Sequence, residues 1–267
     1  MNKSLIVYPL IGILALLYWS CNSSRESTGS DLEKLKEVKP VTSTFKLLSI
    51  NTMHSLNDRR EVAKFAAWVK GTGADVVTVQ EIERATDSKP GFDAVTELSK
   101  QLDMRSHFGK ARYYKGWDSG NALFSPYPIM QTNVYSLPVG KGKVRRSLTY
   151  GVVDMGLHQL GFCSTQLDDE TLGERMKQVG EICSLAKSLG DYPMVVSGDF
   201  GENGTGKASE KMLGTFSNAN SLNDHTQQID EQTYVVSGSK VMILSAERTG
   251  FTKSMGEGLL VTLKIFQ

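Results

Sequence analysis

From residue 43 to the C-terminus, the hydrophobic positions alternate between short continuous runs and a helical spacing. Short apolar runs bounded by turn residues predict strands, and apolar residues three and four positions apart predict amphipathic helices. The predicted strands cover 45–50, 75–80, 120–125, 130–137, 147–155, 160–167 and 193–199, with three more near 232–236, 241–245 and 259–265; the predicted helices cover 60–70, about 93–102 and 170–189. This order, without a linker or a repeat, predicts one α/β domain with two packed sheets flanked by helices.

Two of the predicted strands lead directly to an acid. The run 75–80 is followed by Glu81, and the run 193–198 leads to Asp199. The end of a buried strand is rigid and opens into a cleft, so acids placed there are candidates for metal binding or catalysis. The alternatives without a functional role are a solvated acid at Glu81 and a turn or N-cap residue at Asp199.

The first 42 residues have a different character from the rest of the chain. A positive start at Lys3 precedes an apolar run, 5–17, that is short for a bilayer span, and Cys21 follows it. This pattern predicts a lipoprotein signal over 1–21 with lipidation of Cys21, a polar tether over 22–42 and a globular domain over 43–267. We therefore expect an exported protein, anchored to the cell envelope by lipid; simple secretion and an uncleaved anchor remain alternatives.

Composition narrows the functional classes only a little. The net charge of +1 gives no strong nucleic-acid signal, although a local basic patch such as the run 141–146 could meet a phosphate or an anionic lipid. Cys163 and Cys183 lie in apolar patterns, which favours two free buried thiols, while export would also permit a disulfide. No Cys/His spacing resembles a zinc site.

Five segments in the same order resemble motifs of the endonuclease/exonuclease/phosphatase superfamily, across roughly residues 45–266. They are Ser49-Ile50-Asn51-Thr52-Met53-His54, Asp75-Val76-Val77-Thr78-Val79-Gln80-Glu81-Ile82, Gly120-Asn121-Ala122-Leu123-Phe124-Ser125-Pro126-Tyr127-Pro128-Ile129, Ser164-Thr165-Gln166-Leu167-Asp168 and Gly198-Asp199-Phe200-Gly201, together with Arg146. The resemblance implies a four-layer α/β sandwich and the chemistry of divalent-metal-dependent phosphoesterases.

The resemblance assigns expected roles to the matching residues. Glu81 corresponds to a metal ligand, and Asp199 with Asn51 to catalytic positions. The resemblance also points to Asn121, Arg146 and His54 as candidates for contacting a substrate phosphate. Mg²⁺ held weakly, or no cofactor, is expected, since one carboxylate with an Asn is a poor set of ligands for this ion.

Several positions depart from the family pattern. Gln166 stands where a histidine is expected and cannot carry a proton, and Gly201 replaces an asparagine. The strand 241–245 contains no acid, and Met255-Gly256 replaces the closing Asp-His pair. Each loss alone would cost on the order of 10²–10⁴ in rate. These replacements therefore predict a vestigial site, and a non-catalytic member of the superfamily that binds a phosphoester ligand or a protein partner.

The alternative is a divalent-metal-dependent phosphoesterase with rebuilt acid/base residues. His54, in the opening loop beside Asn51, and His225, in a region that borders the site in the family, are the candidate proton carriers. His107 and His158 are typical of ordinary strand-edge positions.

Overall fold

The structure is a computed structural model that describes residues 44–87, 90–189, 192–201, 207–218, 233–237, 240–252 and 254–266. The predicted signal and tether, with Cys21, lie outside these residues, and so does His225. No helix in the described ranges is long and apolar enough to cross a membrane.

The first sheet has six strands in the order β11-β12-β1-β2-β4-β3. These are β1 (Thr44–Asn51), β2 (Val76–Arg84), β3 (Arg105–Tyr114), β4 (Trp117–Ser125), β11 (Val241–Thr249) and β12 (Gly258–Ile265). β1 and β2 are parallel, whereas their outer neighbours pair in the antiparallel sense. The central pair is buried almost throughout, and the C-terminal ends of its strands lie at one edge of the sheet.

The second sheet has six strands in the order β5-β6-β7-β8-β10-β9. These are β5 (Ile129–Ser136), β6 (Ser147–Asp154), β7 (Gln159–Gln166), β8 (Met194–Asp199), β9 (Ser217–Asn218) and β10 (Thr233–Ser237). β7 and β8 form the parallel pair, with Gln166 opposite Asp199. Both sheets therefore deliver a parallel pair of strands whose last residues are polar.

In the described residues, four helices cover the outer faces of the sheets. They are α1 (Arg59–Thr72), α2 (Ala94–Leu102), α3 (Leu172–Ser188) and α4 (Lys207–Leu213). α1 and α2 bury their apolar faces against the first sheet around Phe65 and Leu98, and α3 and α4 pack on the second sheet around Ile182 and Met212. The order helix, sheet, sheet, helix makes a four-layer sandwich, which confirms the predicted fold class.

The interface between the two sheets is apolar in one part and polar in another. One part is an apolar cluster that includes Leu47, Phe162 and Leu263. Towards the C-terminal ends of the central strands, small polar side chains bridge the sheets: Thr78 contacts Ser197 at 2.7 Å, Gln80 donates to Ser164 at 3.0 Å, and Asn121 donates to Ser147 at 2.9 Å. A hydrogen-bonded polar layer therefore lies beneath the candidate site.

Three differences from the sequence-based elements bear on the site. β2 does not end at the acid but continues past Glu81 to Arg84. β3, which has no apolar pattern that predicts it, forms the edge of the first sheet, and β4 lies between it and β2. α3 begins at Leu172 rather than Glu170, because Asp168 Oδ1 accepts the backbone N–H groups of Glu170 and Thr171 and holds them in a turn.

Candidate functional site

Glu81 lies on a bulge in β2 that turns its side chain into the cleft. Its φ is 51°, a left-handed conformation, and the pairing of β2 with β4 shifts register between Val79 and Ile82. Such bulges re-aim a side chain and are held only where neighbouring groups fix them. The loop after β1 does so here: Thr52 Oγ1 donates to the Glu81 carbonyl at 3.0 Å, and the His54 N–H donates to it at 3.1 Å.

Asp199 and Asn51 form the buried floor of the site. Asn51 Nδ2 donates to Asp199 Oδ2 at 2.8 Å, and the Gly201 N–H donates to Asp199 Oδ1 at 2.9 Å. Burial raises the pKa of Asp199, since removal from water disfavours its charged form; the bonds from Asn51 and Gly201 oppose this, and the nearby charge of Glu81 adds to it. Both oxygens of Asp199 are thus engaged by the chain itself.

Gln166 connects the acid of one sheet to the arginine of the other. Its Nε2 donates to Glu81 Oε1 at 2.8 Å, and its Oε1 accepts from Arg146 Nη1. Arg146 is buried and also donates through Nη2 to Asp169 Oδ1 at 3.0 Å. The result is an unbroken chain of hydrogen bonds, Asp169–Arg146–Gln166–Glu81, although Arg146 Nε is buried without a hydrogen-bond partner among the described residues. We call these four residues the Gln166 chain.

The loop before β12 closes the cleft with apolar and backbone groups. Met255 is buried among the residues that pack α1 and α2 on the first sheet. The Gly256 N–H donates to the Asn51 carbonyl at 3.1 Å. The positions where the resemblance would place an acid and an imidazole therefore hold a core side chain and a backbone contact.

His54 lies at the rim, among charged and aromatic groups. Its Nδ1 is 2.5 Å from Glu83 Oε1, a close contact outside hydrogen-bond alignment, and its Nε2 is 3.7 Å from Glu81 Oε2. Arg112 Nη2 lies 3.3 Å from the same Nε2. Because an arginine only donates, this contact favours the tautomer with the proton on Nδ1.

An aromatic pocket adjoins this rim. It has a volume of about 390 Å³ and includes His54, Glu83, Tyr114 and Trp117 in its lining. Sequence reasoning missed Glu83, Arg112, Tyr114 and Trp117 as site residues. Had β2 been extended past Glu81, the two-residue period of a strand would have indicated Glu83 as a second acid near the first.

The other residues considered in the sequence analysis differ in how far they are buried. Asn121 is buried, and its amide donates to the Ser147 carbonyl across the sheets. His107 is half-buried on the edge strand β3, where burial lowers its pKa. Cys163 and Cys183 are both free and buried. The structure thus brings Asn51, Glu81, Arg146, Gln166 and Asp199 together, with His54 at the rim and Asn121 in the layer below.

Comparison with known proteins identifies the fold. No protein-family model matches the sequence, and no curated protein does. Among solved structures, the chain is similar to an endonuclease/exonuclease/phosphatase from Beutenbergia cavernae, with 17% identity, a TM-score of 0.65, and coverage of 84% of this chain and 72% of that one. It is similar to the human Nocturnin catalytic domain with bound sulfate anion, with 14% identity, a TM-score of 0.67, and coverage of 84% and 94%.

A third similar structure is a mannosyl-6-phosphatase from Bacteroides thetaiotaomicron, with 12% identity, a TM-score of 0.60, and coverage of 83% of this chain and 100% of that one. These matches confirm the resemblance at the level of structure: the domain has the endonuclease/exonuclease/phosphatase fold.

Members of the endonuclease/exonuclease/phosphatase superfamily, whose fold this domain shares, commonly use Mg²⁺. The residues at this site fit such an ion poorly. One oxygen of Glu81 accepts from Gln166, Asn51 Oδ1 accepts the Met53 N–H, and Asp199 is held by Asn51 and Gly201. No group of three His, Cys, Asp or Glu side chains in the described part of the chain is arranged to hold a metal ion. An ion would have to displace bonds that the protein already makes.

Proposed function

We propose that this domain is a binding protein built on a phosphoesterase fold, in which the catalytic centre no longer turns substrate over. The observation that carries the proposal is the Gln166 chain. The side-chain amide of Gln166, which cannot act as an acid or a base, donates a hydrogen bond to Glu81, the residue that corresponds to the metal ligand of the family. The same amide accepts a hydrogen bond from Arg146.

Electrostatics support the same proposal. Hydrolysis of a phosphoester needs positive groups that offset the charge of the phosphoryl oxygens and that face the atoms where charge develops in the transition state. Here the guanidinium of Arg146 is paired with Asp169, and the Glu81 side chain, an acid, lies in the cleft beside Gln166. The polar centre therefore compensates itself and offers little net attraction to a phosphoester, which favours a ligand bound at the rim over one bound at the floor.

Turnover assays on the full chain test this proposal. We expect no hydrolysis above background of p-nitrophenyl phosphate or bis-p-nitrophenyl phosphate with Mg²⁺ or Mn²⁺, and no saturable heat of Mg²⁺ binding by calorimetry. Hydrolysis that disappears in a folded Glu81→Ala variant would overturn the proposal.

The hydrogen bonds of the Gln166 chain also predict the effect of removing the Gln166 side chain. Gln166→Ala removes one hydrogen-bond partner from Arg146 and one from Glu81, so the free energy of unfolding should fall by roughly 1–3 kcal/mol. The same change frees Glu81 Oε1, so Mg²⁺ binding should become stronger than in the wild type. Urea unfolding and calorimetry measure both effects. Gln101→Ala, which removes an exposed amide bound to Glu97 on α2, is the matched control.

A second candidate function is a metal-dependent phosphoesterase that uses His54 as its proton carrier. The observation in its favour is the proximity of the imidazole to Glu83 on one side and Glu81 on the other. Against it, Arg112 faces Nε2, the nitrogen that would take a proton from water. Activity that is lost in His54→Gln and kept in Gln166→Ala would support this candidate over the binding protein.

Export and lipid attachment at Cys21 form a separate part of the proposal. They rest on the apolar run 5–17 followed by Cys21 and a polar segment. Labelling of the full chain with a fatty-acid analogue in a bacterial host tests it. Label in the wild type that is absent from Cys21→Ser supports the anchor, whereas equal labelling contradicts it.

A further inference from the structure

The aromatic pocket next to His54 is separate from the floor of the cleft. Its lining residues come from the loop after β1, from β2, from the start of α2 and from the β3–β4 hairpin: Met53, His54, Leu56, Asn57, Glu83, Phe92, Ala94, Tyr114, Lys115 and Trp117. The volume of about 390 Å³ falls within the range of small-molecule sites, which are mostly apolar with a few polar groups.

Aromatic side chains make up much of the pocket lining. The rings of His54 and Tyr114 are stacked with centroids 4.1 Å apart and planes inclined by 15°. Trp117 is the strand partner of Tyr114 across the tight turn of the β3–β4 hairpin. Phe92 and Leu56 complete the apolar lining. A lining rich in aromatic side chains favours a planar ring in stacked or edge-on contact over a bulky aliphatic group.

The charges around the pocket restrict the ligand further. The guanidinium of Arg112 lies 5.2 Å and the ammonium of Lys115 lies 5.0 Å from the centroid of the Tyr114 ring, so a cationic ligand would meet two like charges. An anionic ligand would meet the carboxylates of Glu83 and, at the rim, Glu81. The carboxylate of Glu83 can accept a hydrogen bond from a neutral donor.

We propose that this pocket binds an uncharged planar ring that carries an O–H or N–H donor directed to Glu83. The proposal deepens the proposed function, on which it rests, because it gives the non-catalytic domain a class of ligand. It also explains why binding would not depend on the floor of the cleft, where the Gln166 chain is closed.

A set of three related probes tests the proposal on the full chain by calorimetry. 2-Naphthol is planar and neutral with one donor, decahydro-2-naphthol has the same skeleton without planarity, and 2-naphthyl phosphate has the ring with an anion in place of the donor. We expect 2-naphthol to bind about three- to tenfold more tightly than its saturated form, from the added stacking energy. Equal or tighter binding of the saturated form overturns the planar ring, and tightest binding of the phosphate overturns the neutral one.

Variants on the hairpin locate the binding. Trp117→Leu keeps the apolar bulk and removes the flat face, so the preference for 2-naphthol should disappear. Tyr113→Leu alters an exposed neighbour that is not part of the lining, and it should keep the preference. An unchanged preference in Trp117→Leu overturns the placement. If Trp117→Leu fails to fold, Phe92→Leu makes the same test from the α2 side of the pocket.

The same probes separate this proposal from the proposed function. Release of 2-naphthol from 2-naphthyl phosphate, lost in Glu81→Ala, would overturn the non-catalytic function and leave the pocket standing. Absence of both turnover and ring preference would overturn the pocket alone.

Discussion

Gly201 is held in a backbone conformation and a space that suit glycine. Its φ is 65°, and a Cβ there would lie 2.8 Å from the Asp168 carbonyl oxygen and 3.1 Å from the Cα of Asp169. An asparagine at position 201 therefore does not fit unless the loop that carries Asp168 moves. The local packing by itself favours glycine at this position.

We predict that Gly201→Asn lowers the free energy of unfolding by roughly 1–3 kcal/mol, because the added side chain meets backbone atoms that cannot rotate away. Gly142→Asn is the matched control: its φ is 76°, and a Cβ there has open space. That variant should lose less than about 1 kcal/mol. Urea unfolding of both measures the difference, and equal losses would contradict the role of Asp168.

The raised pKa of Asp199 predicts a pH dependence of stability. An acid whose pKa is higher in the folded than in the unfolded protein stabilises the fold below its ordinary value of 3.8, and this contribution is lost as the pH rises through the folded value. Asp199→Asn does not titrate. The free energy of unfolding of the wild type, minus that of the variant, should therefore increase as the pH falls from about 7 towards about 4.

The control for the Asp199 measurement is Asp58→Asn, which removes one negative charge at the exposed N-cap of α1 and preserves capping. A wild-type minus Asp199→Asn difference that stays constant with pH would contradict the effect of burial on Asp199.

Among the elements, those with strong apolar patterns could be predicted from the sequence, and those defined by long-range pairing could not. β1, β6 and β8 are mostly buried, and their bounds differ from the prediction by one residue at most. β3 is the edge strand of its sheet, and its exposed positions carry charged and aromatic residues that hide any alternation. β3 contributes Arg112 and Tyr114, so missing it also meant missing the rim of the site.

The residues of the candidate site divide in the same way, into those with a local sequence signal and those whose contacts depend on long-range packing. Glu81 and Asp199 follow apolar runs, which is a local signal that one sequence contains. The bond from Gln166 to Glu81 spans 85 positions and depends on how the two sheets face each other. The contact between His54 and Glu83 depends on the bulge at Glu81 and on the loop after β1. Neither contact has a local sequence pattern.

The start of α1 gives a prediction at the level of one element. Asp58 Oδ1 accepts the Glu61 N–H at 2.9 Å and caps the helix that follows the His54 loop. Asp58→Ala should lower the free energy of unfolding by about 1 kcal/mol, as is typical when an N-cap is removed. Thermal unfolding measures this loss, and Asp58→Ser, which can cap, should recover most of it. An unstable Asp58→Ser variant would point to a role other than capping.

In the whole molecule, the polar layer between the sheets links the fold to the site. The two sheets meet through an apolar cluster in one part and through Ser, Thr, Gln and Asn side chains under the cleft. A buried hydroxyl or amide is costly unless it is bonded, so each bridge constrains how one sheet sits on the other. The acids on β2 and β8 keep their separation because this layer holds the strands that carry them.

A double-mutant cycle on Thr78 and Ser197 tests this coupling. Their hydroxyls are 2.7 Å apart, and Ser197 also donates to the Cys163 carbonyl. Thr78→Val and Ser197→Ala should each lower the free energy of unfolding by roughly 1–3 kcal/mol, since each leaves a buried polar group short of a partner. The double variant should lose less than the sum of the two, with a coupling of about 0.5–3 kcal/mol measured by urea unfolding.

Thr72→Val, on the far end of α1, combined with Ser197→Ala should show additive losses, because these side chains share no contact in the described structure. Additive losses for Thr78 and Ser197 themselves would mean that the polar layer fills space without joining the sheets, and the separation of Glu81 and Asp199 would then depend on the apolar cluster alone.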